Sequence, residues 1–349
     1  MDVVNVVVMA PILGPDLSYV TDVDSRVRAY DANDAMRRLR SQVEAAPGSH
    51  GGSDAWSAPE IDAALAAADV LLVGYPVPSR VAGRAPRLVW AHHTQAGVSN
   101  LAGSDLWTST VTLTTSRGSV TATAIAEYVL AAASYFGRGL HEGTRQKRAG
   151  IFTREGYEMT TLRGATMGIV GLGGIGQEVA RLSRAVGMRV VATRRSVTAR
   201  LTDIDGADVV LPADGILEVA ADSDVLAVCS QLTPETKGMI DGRVFAAMKP
   251  GAVLVNVARG EEVDEEALIA VITAGHIRGA VLDVYDGELA GRPPRPELVE
   301  MPEILLTPHI SGRGDALLAE PLKRLFAENL RRFIDGLPLQ NTVDRVRGY

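Results

Sequence analysis

The 349-residue sequence predicts an α/β protein built from two doubly wound parallel-sheet domains. Three observations lead there. Short apolar, β-branched runs alternate with Ala-rich amphipathic stretches, the pattern of strands crossed over by helices on both faces of a parallel sheet. About ten such runs occur, more than the usual number of strands in one sheet. One of them, "TMGIV", leads straight into a glycine-rich turn and then a helix, "GQEVARLSRAVG".

Taken in order, the strand candidates are "VVNVVVMA", "DVLLVGYP", "RLVWAHH", "VTLTT", "TMGIVG", "MRVVATR", "DVLAVCS", "AVLVNVA", "GAVLDVY" and "EILLTPH". Residues 45–60, "AAPGSHGGSDAWSAPE", are rich in Gly, Ser and Pro and predict a surface loop in the first domain. Residues 121–140, "TATAIAEYVLAAASYFGRGL", predict a long helix of small and apolar residues, suited equally to a core, an interdomain link or a subunit interface. The chain closes on the amphipathic helix "LLAEPLKRLFAENLRRFIDG", stopped by Gly336.

Composition narrows the function. The net charge of −7 argues against nucleic-acid binding, which favours a basic domain or stripe. A single cysteine, Cys229, excludes an internal disulfide framework and fits a reducing compartment. The N-terminus "MDVVNVVVMAPIL" carries Asp2 and no basic segment, so it reads as a first strand rather than a signal peptide. No apolar run reaches the roughly 18 residues needed to cross a bilayer. A soluble, cytoplasmic protein with no membrane or nucleic-acid partner is expected. No His/Cys/Asp cluster has metal-ligand spacing, so no metal is expected.

Gly171, Gly173 and Gly176 form G-x-G-x-x-G between a strand and a helix. Gly171 permits the tight turn, Gly173 lets backbone N–H groups approach a pyrophosphate, and Gly176 allows close helix–strand packing. Gly174 and Ile175 lie at the helix N-terminus, which favours the anionic diphosphate. The next strand runs through Thr193 into Arg194, Arg195 and Ser196. NAD sites carry an Asp or Glu near here for the ribose 2′-hydroxyl, and a carboxylate would repel the 2′-phosphate of NADP. The arginine pair offers that phosphate charge-assisted hydrogen bonds. The predicted cofactor is therefore NADP(H), with NAD(H) as the alternative.

Three polar residues follow later strands: Arg259 in "VLVNVARGEEVDEEAL", Glu288 in "GAVLDVYDGELA" and His309 in "EILLTPHISG". Ligands of open α/β sheets bind outside the carboxyl ends of the strands, so all three project to the side of the glycine loop. Arg259 can grip a carboxylate and polarise the adjacent carbonyl. His309 can give and take a proton, and Glu288 can orient and charge the imidazole.

Order, spacing and identity of "RLVWAHHTQAGVSNL", "LRGATMGIVGLGGIGQEVA", "LTPETKGMI", "GAVLVNVARGEEVDEEAL", "GAVLDVYDGE" and "TPHISG" resemble the D-isomer-specific 2-hydroxyacid dehydrogenase family across residues 68–312. Its NADPH-preferring glyoxylate/hydroxypyruvate reductase-like branch is the nearest in kind. The resemblance implies a Rossmann-type nucleotide domain (residues 119–312) inserted into a flavodoxin-like substrate domain (residues 1–118 and 313–349). It implies a homodimer, to which the helix from Thr121 contributes, and a catalytic trio of Arg259, Glu288 and His309. It further implies that Ala96, Gly97 and Val98 bind the substrate carboxylate and that Asp283 bonds the nicotinamide carboxamide. Cys229, Ser230, Thr236, Val257, Ala258, Ser311 and Gly312 would line the cofactor. With no partner group evident, Cys229 also reads as a small buried residue. His92 and His93 either shape the pocket or serve the structure.

The chain departs from the family where Gln231 replaces a Pro before "LTPET" and where Leu289, rather than Pro, follows Glu288. The expected reaction is hydride transfer from NADPH to a 2-oxo acid, giving a D-2-hydroxy acid. The alternatives are a same-fold dehydrogenase with a donor such as phosphite, and a dinucleotide-sensing corepressor. The substrate mouth is expected at "GYPVPS", residues 74–79, whose prolines suggest a stiff loop.

Overall fold

A computed structural model of the chain describes residues 3–45, 58–74, 77–98, 101, 103–117, 121–313 and 319–345. Most of the 45–60 loop, residues 75–76 of "GYPVPS" and the expected domain boundary at 118/119 lie outside the described residues. The chain divides into two compact units, residues 1–120 with 314–349, and residues 121–313.

The first unit holds a five-stranded parallel sheet of order β2-β1-β3-β4-β5. Its strands are β1 (Val4–Met9), β2 (Val27–Asp31), β3 (Val70–Val73), β4 (Trp90–His93) and β5 (Thr112–Thr115). Val6 sits opposite Val70, and Val70 opposite Trp90. β1, β3 and β4 are buried on both faces, which is why they read as continuous apolar runs. Helices α1 (Asn33–Ala45) and α2 (Pro59–Ala67) follow β2 in the chain, and Ile61 and Leu65 of α2 are buried in the core. The C-terminal helix α10 (Ala319–Ile334) packs Leu322, Phe326 and Leu330 with Val6, Val8 and Trp90. Gly336, at φ +68, ends it as expected.

The second unit holds an eight-stranded sheet of order β13-β12-β11-β10-β6-β7-β9-β8. Its strands are β6 (Thr166–Val170), β7 (Arg189–Thr193), β8 (Leu201–Ile204), β9 (Ala207–Leu211), β10 (Val225–Val228), β11 (Val253–Asn256), β12 (Gly279–Leu282) and β13 (Ile304–Leu306). All ten strands expected from the sequence form. The sheet differs from the expected all-parallel pattern at one edge, where β8 runs antiparallel to β9. The reason is local: Asp205 and Gly206, at φ +51 and +82, make a tight reversal that leaves no room for a crossover helix.

Helix α3 (Thr121–Gly137) is a core element of this unit. It buries Ile125, Ala126, Val129, Ala133 and Phe136, and its small residues let it lie close along α5 (Gly174–Ala185). It breaks at Gly139, φ +68, where a Cβ would approach Tyr157 Cδ1 to 2.9 Å, and α4 (Leu140–Arg148) begins. Helices α6 (Ile216–Asp222), α7 (Gly242–Ala247), α8 (Glu265–Thr273) and α9 (Pro296–Glu300) complete the unit. Among the described residues no helix is long and apolar enough to cross a membrane.

Candidate active site

The candidate site lies at the carboxyl ends of the eight-stranded sheet. At the end of β6, Gly171 takes φ +96, and a Cβ there would stand 2.8 Å from the Ser230 backbone. A Cβ on Gly176 would strike the Gly171 carbonyl oxygen at 2.3 Å. Both glycines are therefore demanded by the chain's own packing. Gly173 differs: a Cβ would meet nothing within 4 Å, so its bare backbone faces open space at the start of α5. Open space beside exposed N–H groups at a helix N-terminus, with Gly174 and Ile175 in its first turn, fits a dinucleotide diphosphate.

Thr193 is buried and its hydroxyl accepts the Gly171 N–H at 3.3 Å, which ties β7 to the loop. Arg194 donates from Nε to the Leu172 carbonyl at 3.0 Å and pairs with Asp205 at 2.6 Å. The sequence pointed to an arginine turned towards a phosphate; the structure adds a carboxylate beside it. Arg195 and Ser196 are exposed. Cys229 is buried, and burial pushes its thiol up to about 12, so it serves as an apolar filler rather than a nucleophile. The Thr236 hydroxyl accepts the Thr233 N–H at 2.8 Å and donates to the Gln231 carbonyl at 2.7 Å. That contact closes the turn in which Gln231 replaces the family's Pro.

Arg259 follows β11. Buried Asn256 holds its turn by donating to the Arg259 carbonyl at 2.9 Å and accepting the Ala258 N–H at 3.0 Å. Val257 and Ala258 are buried in the wall below. Gly260 sits against the next loop, for a Cβ there would overlap the Tyr285 carbonyl carbon at 1.8 Å. This close approach brings Arg259 beside the Glu288 segment. Burial draws the Arg259 guanidinium down from its ordinary value, opposed by the charges of Glu262, Glu288 and Glu261.

His309 lies beyond β13 at φ +54, a conformation uncommon for a non-glycine residue. Asp283 enforces it. This buried carboxylate accepts the Thr307 hydroxyl at 2.6 Å and the N–H groups of Ile310 and Ser311, each at 2.8 Å. Asp283 therefore organises the His309 turn, a role its motif position did not disclose. His309 Nδ1 stands 2.9 Å from Glu288 Oε1, on the short 3-10 turn Glu288–Ala290. A Cβ on Gly312 would make only ordinary contacts, with Thr121 and Ile125.

Sequence reasoning missed Glu262. It is fully buried, accepts the Ser230 hydroxyl through Oε2, and its Oε1 has no hydrogen-bond partner among the described residues. Burial raises its carboxyl to about 7, against the pull of Ser230 and Arg259. Its signal was an acid between Gly260 and Val263, hidden because "ARGEEVDEEAL" is acidic throughout.

Ala96, Gly97 and Val98 belong to the first unit. They follow β4, where Ala96 and Gly97 are partly exposed and Val98 is buried. His92 and His93 are both buried within β4, bonded to Thr114, Ser116 and the Val73 carbonyl. No metal-binding cluster occurs among the described residues.

Comparison with known proteins matches residues 130–311 to the D-isomer specific 2-hydroxyacid dehydrogenase, NAD binding domain. A D-3-phosphoglycerate dehydrogenase of Mycobacterium tuberculosis is 35% identical over 283 residues, covering 80% of this chain and 52% of that protein. The chain spans about half the length of the curated relatives of that name that it matches. A D-isomer specific 2-hydroxyacid dehydrogenase from Xanthobacter autotrophicus Py2, solved with NADPH and MES, superimposes with a TM-score of 0.76 at 26% identity, over 100% of both chains. An NADPH-dependent glyoxylate/hydroxypyruvate reductase from Sinorhizobium meliloti shares the fold, with a TM-score of 0.72 at 23% identity over 99% of this chain and 100% of that one. With the matched domain spanning the glycine loop and the His309–Glu288 pair, the chain belongs to the D-isomer specific 2-hydroxyacid dehydrogenase family.

Proposed function

We propose that the protein reduces a 2-oxo acid to the D-2-hydroxy acid with NADPH, reversibly. The observation that carries this reading is the His309–Glu288 contact at 2.9 Å, on the sheet whose strand ends also carry Arg259 and the glycine loop. Bound NADPH supplies the hydride. Arg259 holds the substrate carboxylate and polarises the neighbouring carbonyl with its fork of donors. His309 gives a proton from Nε2 to the carbonyl oxygen, since Nδ1 faces Glu288. Glu288 keeps the ring oriented through Nδ1. The backbone of Ala96, Gly97 and Val98 is the second proposed grip on the carboxylate, on the strength of the motif resemblance.

Arg194, Arg195 and Ser196 support NADPH over NADH, and the Xanthobacter relative was solved with NADPH. The test is the loss of NADPH absorbance, and separately of NADH, with glyoxylate, hydroxypyruvate, phenylpyruvate and 2-oxoisocaproate. D-3-phosphoglycerate is added in the oxidative direction because curated relatives act under that name. Turnover with NADPH preferred is expected. Turnover on phosphite or formate alone, or dinucleotide binding without turnover on any acid, overturns the reading.

A homodimer is part of the proposal. Leu140, Ile151 and Met159 are exposed and Phe152 is 105% exposed, an apolar set on α4 and the segment after it. Light scattering at micromolar concentration should give twice the chain mass; a single-chain mass would refute it.

A further inference from the structure

Arg194 is gripped from two sides. Its Nε donates to the Leu172 carbonyl in the glycine loop at 3.0 Å, and its Nη1 meets Asp205 Oδ2 at 2.6 Å. Asp205 comes from the β8–β9 turn, the antiparallel edge that the parallel-sheet pattern does not predict. The fold holds that turn independently of Arg194. Gly206 lies against α5, where a Cβ would stand 3.4 Å from Ala180 Cβ and from the Arg181 nitrogen. Arg184 of α5 reaches Asp208 at 3.4 Å and Asp203 at 3.9 Å. Asp205 itself sits at φ +51, a left-handed conformation that Asp tolerates. The carboxylate is thus delivered by a docked turn and not by a freely swinging loop.

A carboxylate at the end of the second strand is what an NAD site uses for the ribose hydroxyls. Here that strand ends in arginine, and a carboxylate arrives from the neighbouring hairpin instead. We propose that Asp205 sets the NADPH-to-NADH preference by competing with the 2′-phosphate for Arg194. This rests on the NADPH reading above. When a 2′-phosphate enters, Arg194 must be shared between two anions, and the phosphate meets the Asp205 charge. When the 2′-position is a hydroxyl, Arg194 is already neutralised and Asp205 is an acceptor for it. The site is therefore built to use both cofactors, with the ratio held down by Asp205.

The experiment compares wild type, D205N, R194A and the double variant. It reads Kd for 2′,5′-ADP and 5′-AMP, and kcat/KM for NADPH and NADH on the best 2-oxo acid. D205N should raise the NADPH/NADH ratio about fivefold and tighten 2′,5′-ADP equally, the scale of a partly exposed ion pair. The 5′-AMP affinity should not tighten. In the R194A background the same substitution should give a clearly smaller gain, because only the direct repulsion between Asp205 and the phosphate is then left to relieve. Glycine suits the same backbone conformation, so D205G is the second variant and should act alike. An unchanged 2′,5′-ADP affinity in both variants, or an equal gain without Arg194, overturns the proposal. A wild type that binds 2′,5′-ADP no better than 5′-AMP sinks the NADPH reading itself. A wild type that does prefer it, with D205N silent, sinks only the role of Asp205.

Discussion

Each of the two sheets has a histidine at or beyond the carboxyl end of a strand, and these histidines do opposite things. In the first unit, His92 and His93 are the last residues of β4 and still within the strand. His92 is 0% exposed, with Nδ1 2.8 Å from the Thr114 hydroxyl and Nε2 3.1 Å from that of Ser116. Burial drives its pKa down to about 3, with the His93 charge a lesser cause, so the ring stays neutral. In the second unit, His309 lies three residues beyond β13, and its side chain is 38% exposed beside Glu288. Inside the strand, desolvation forbids a charge and the hydroxyls satisfy both nitrogens. Past the strand end, one nitrogen is oriented by a carboxylate and the ring keeps access to solvent. Position relative to the strand end, and not the presence of a histidine, separates the two.

The sharpest way to break this contrast is to remove each ring in turn. His309→Ala should lower kcat about 10³-fold while the NADPH Kd stays within about twofold, since general acid–base groups contribute on that scale. His92→Gln should leave kcat nearly unchanged and lower Tm by about 5 °C, the cost of an imperfectly satisfied buried polar site. An equal loss of activity in both variants, with both folded, would show that burial does not separate them. Arg259→Ala tests the same strand ends from the substrate side. It should raise KM for the 2-oxo acid about 100-fold, as for a truncated charge pair, and leave NADPH binding intact. Equal losses of both would contradict its assignment to the substrate anion.

The glycine loop offers a contrast on a smaller scale. Gly176→Ala should destabilise the second unit by about 3 kcal/mol, the upper range for overpacking, because the new methyl meets the Gly171 carbonyl at 2.3 Å. Gly173→Ala meets no protein atom within 4 Å. It should leave Tm within about 1 °C and weaken dinucleotide binding instead, because only a ligand needs that bare backbone. A Tm loss in Gly173→Ala as large as in Gly176→Ala would show that the loop's glycines serve packing alone.

How much of this was legible in the sequence follows from how local each cause is. The glycine loop was readable because its spacing, between a strand and a helix, is set within six residues by a turn, a ligand approach and a helix–strand contact. Ten strands were readable because they form continuous apolar, β-branched runs. β2, β8 and β9 were not: β2 has a single buried residue and β8 none, and edge strands look like loops, while β9 is buried but follows β8 through a tight reversal without a crossover helix to set it apart. The trio of Arg259, Glu288 and His309 stood out through motif resemblance, and the His309–Glu288 contact gives two of its members a geometry. Asp205 and Glu262 stayed hidden because their partners, Arg194 and Ser230, lie on other strands or loops, and nothing in sequence tells a buried acid from a solvated one. Asp283 was visible, but its grip on the His309 turn depends on a backbone reversal only the fold supplies.

Glu262 yields the smallest and most discriminating effect, because it is a charge placed where the contrast above says none should be. Its folded pKa is raised to about 7 from the ordinary 4.5, chiefly by burial. The folded state therefore holds a proton that the unfolded state releases between these two values. By linkage, its contribution is fully present below pH 4.5, declines as pH rises, and is lost above about 7. Glu262→Gln keeps an acceptor for the Ser230 hydroxyl and removes the titration. The shift sets a ceiling of about 3 kcal/mol, and local relaxation should reduce the realised gain to about 1 kcal/mol. The variant should match wild type near pH 5 and melt about 3 °C higher at pH 8.5. Differences between the two proteins isolate this group from the other carboxylates, several of which are stabilised in the opposite direction. A constant Tm difference across the range would mean that Glu262 does not titrate there. Burial with one hydroxyl partner and the Arg259 charge nearby would then be compatible with a standing charge, an exception to the rule drawn from His92 and His309.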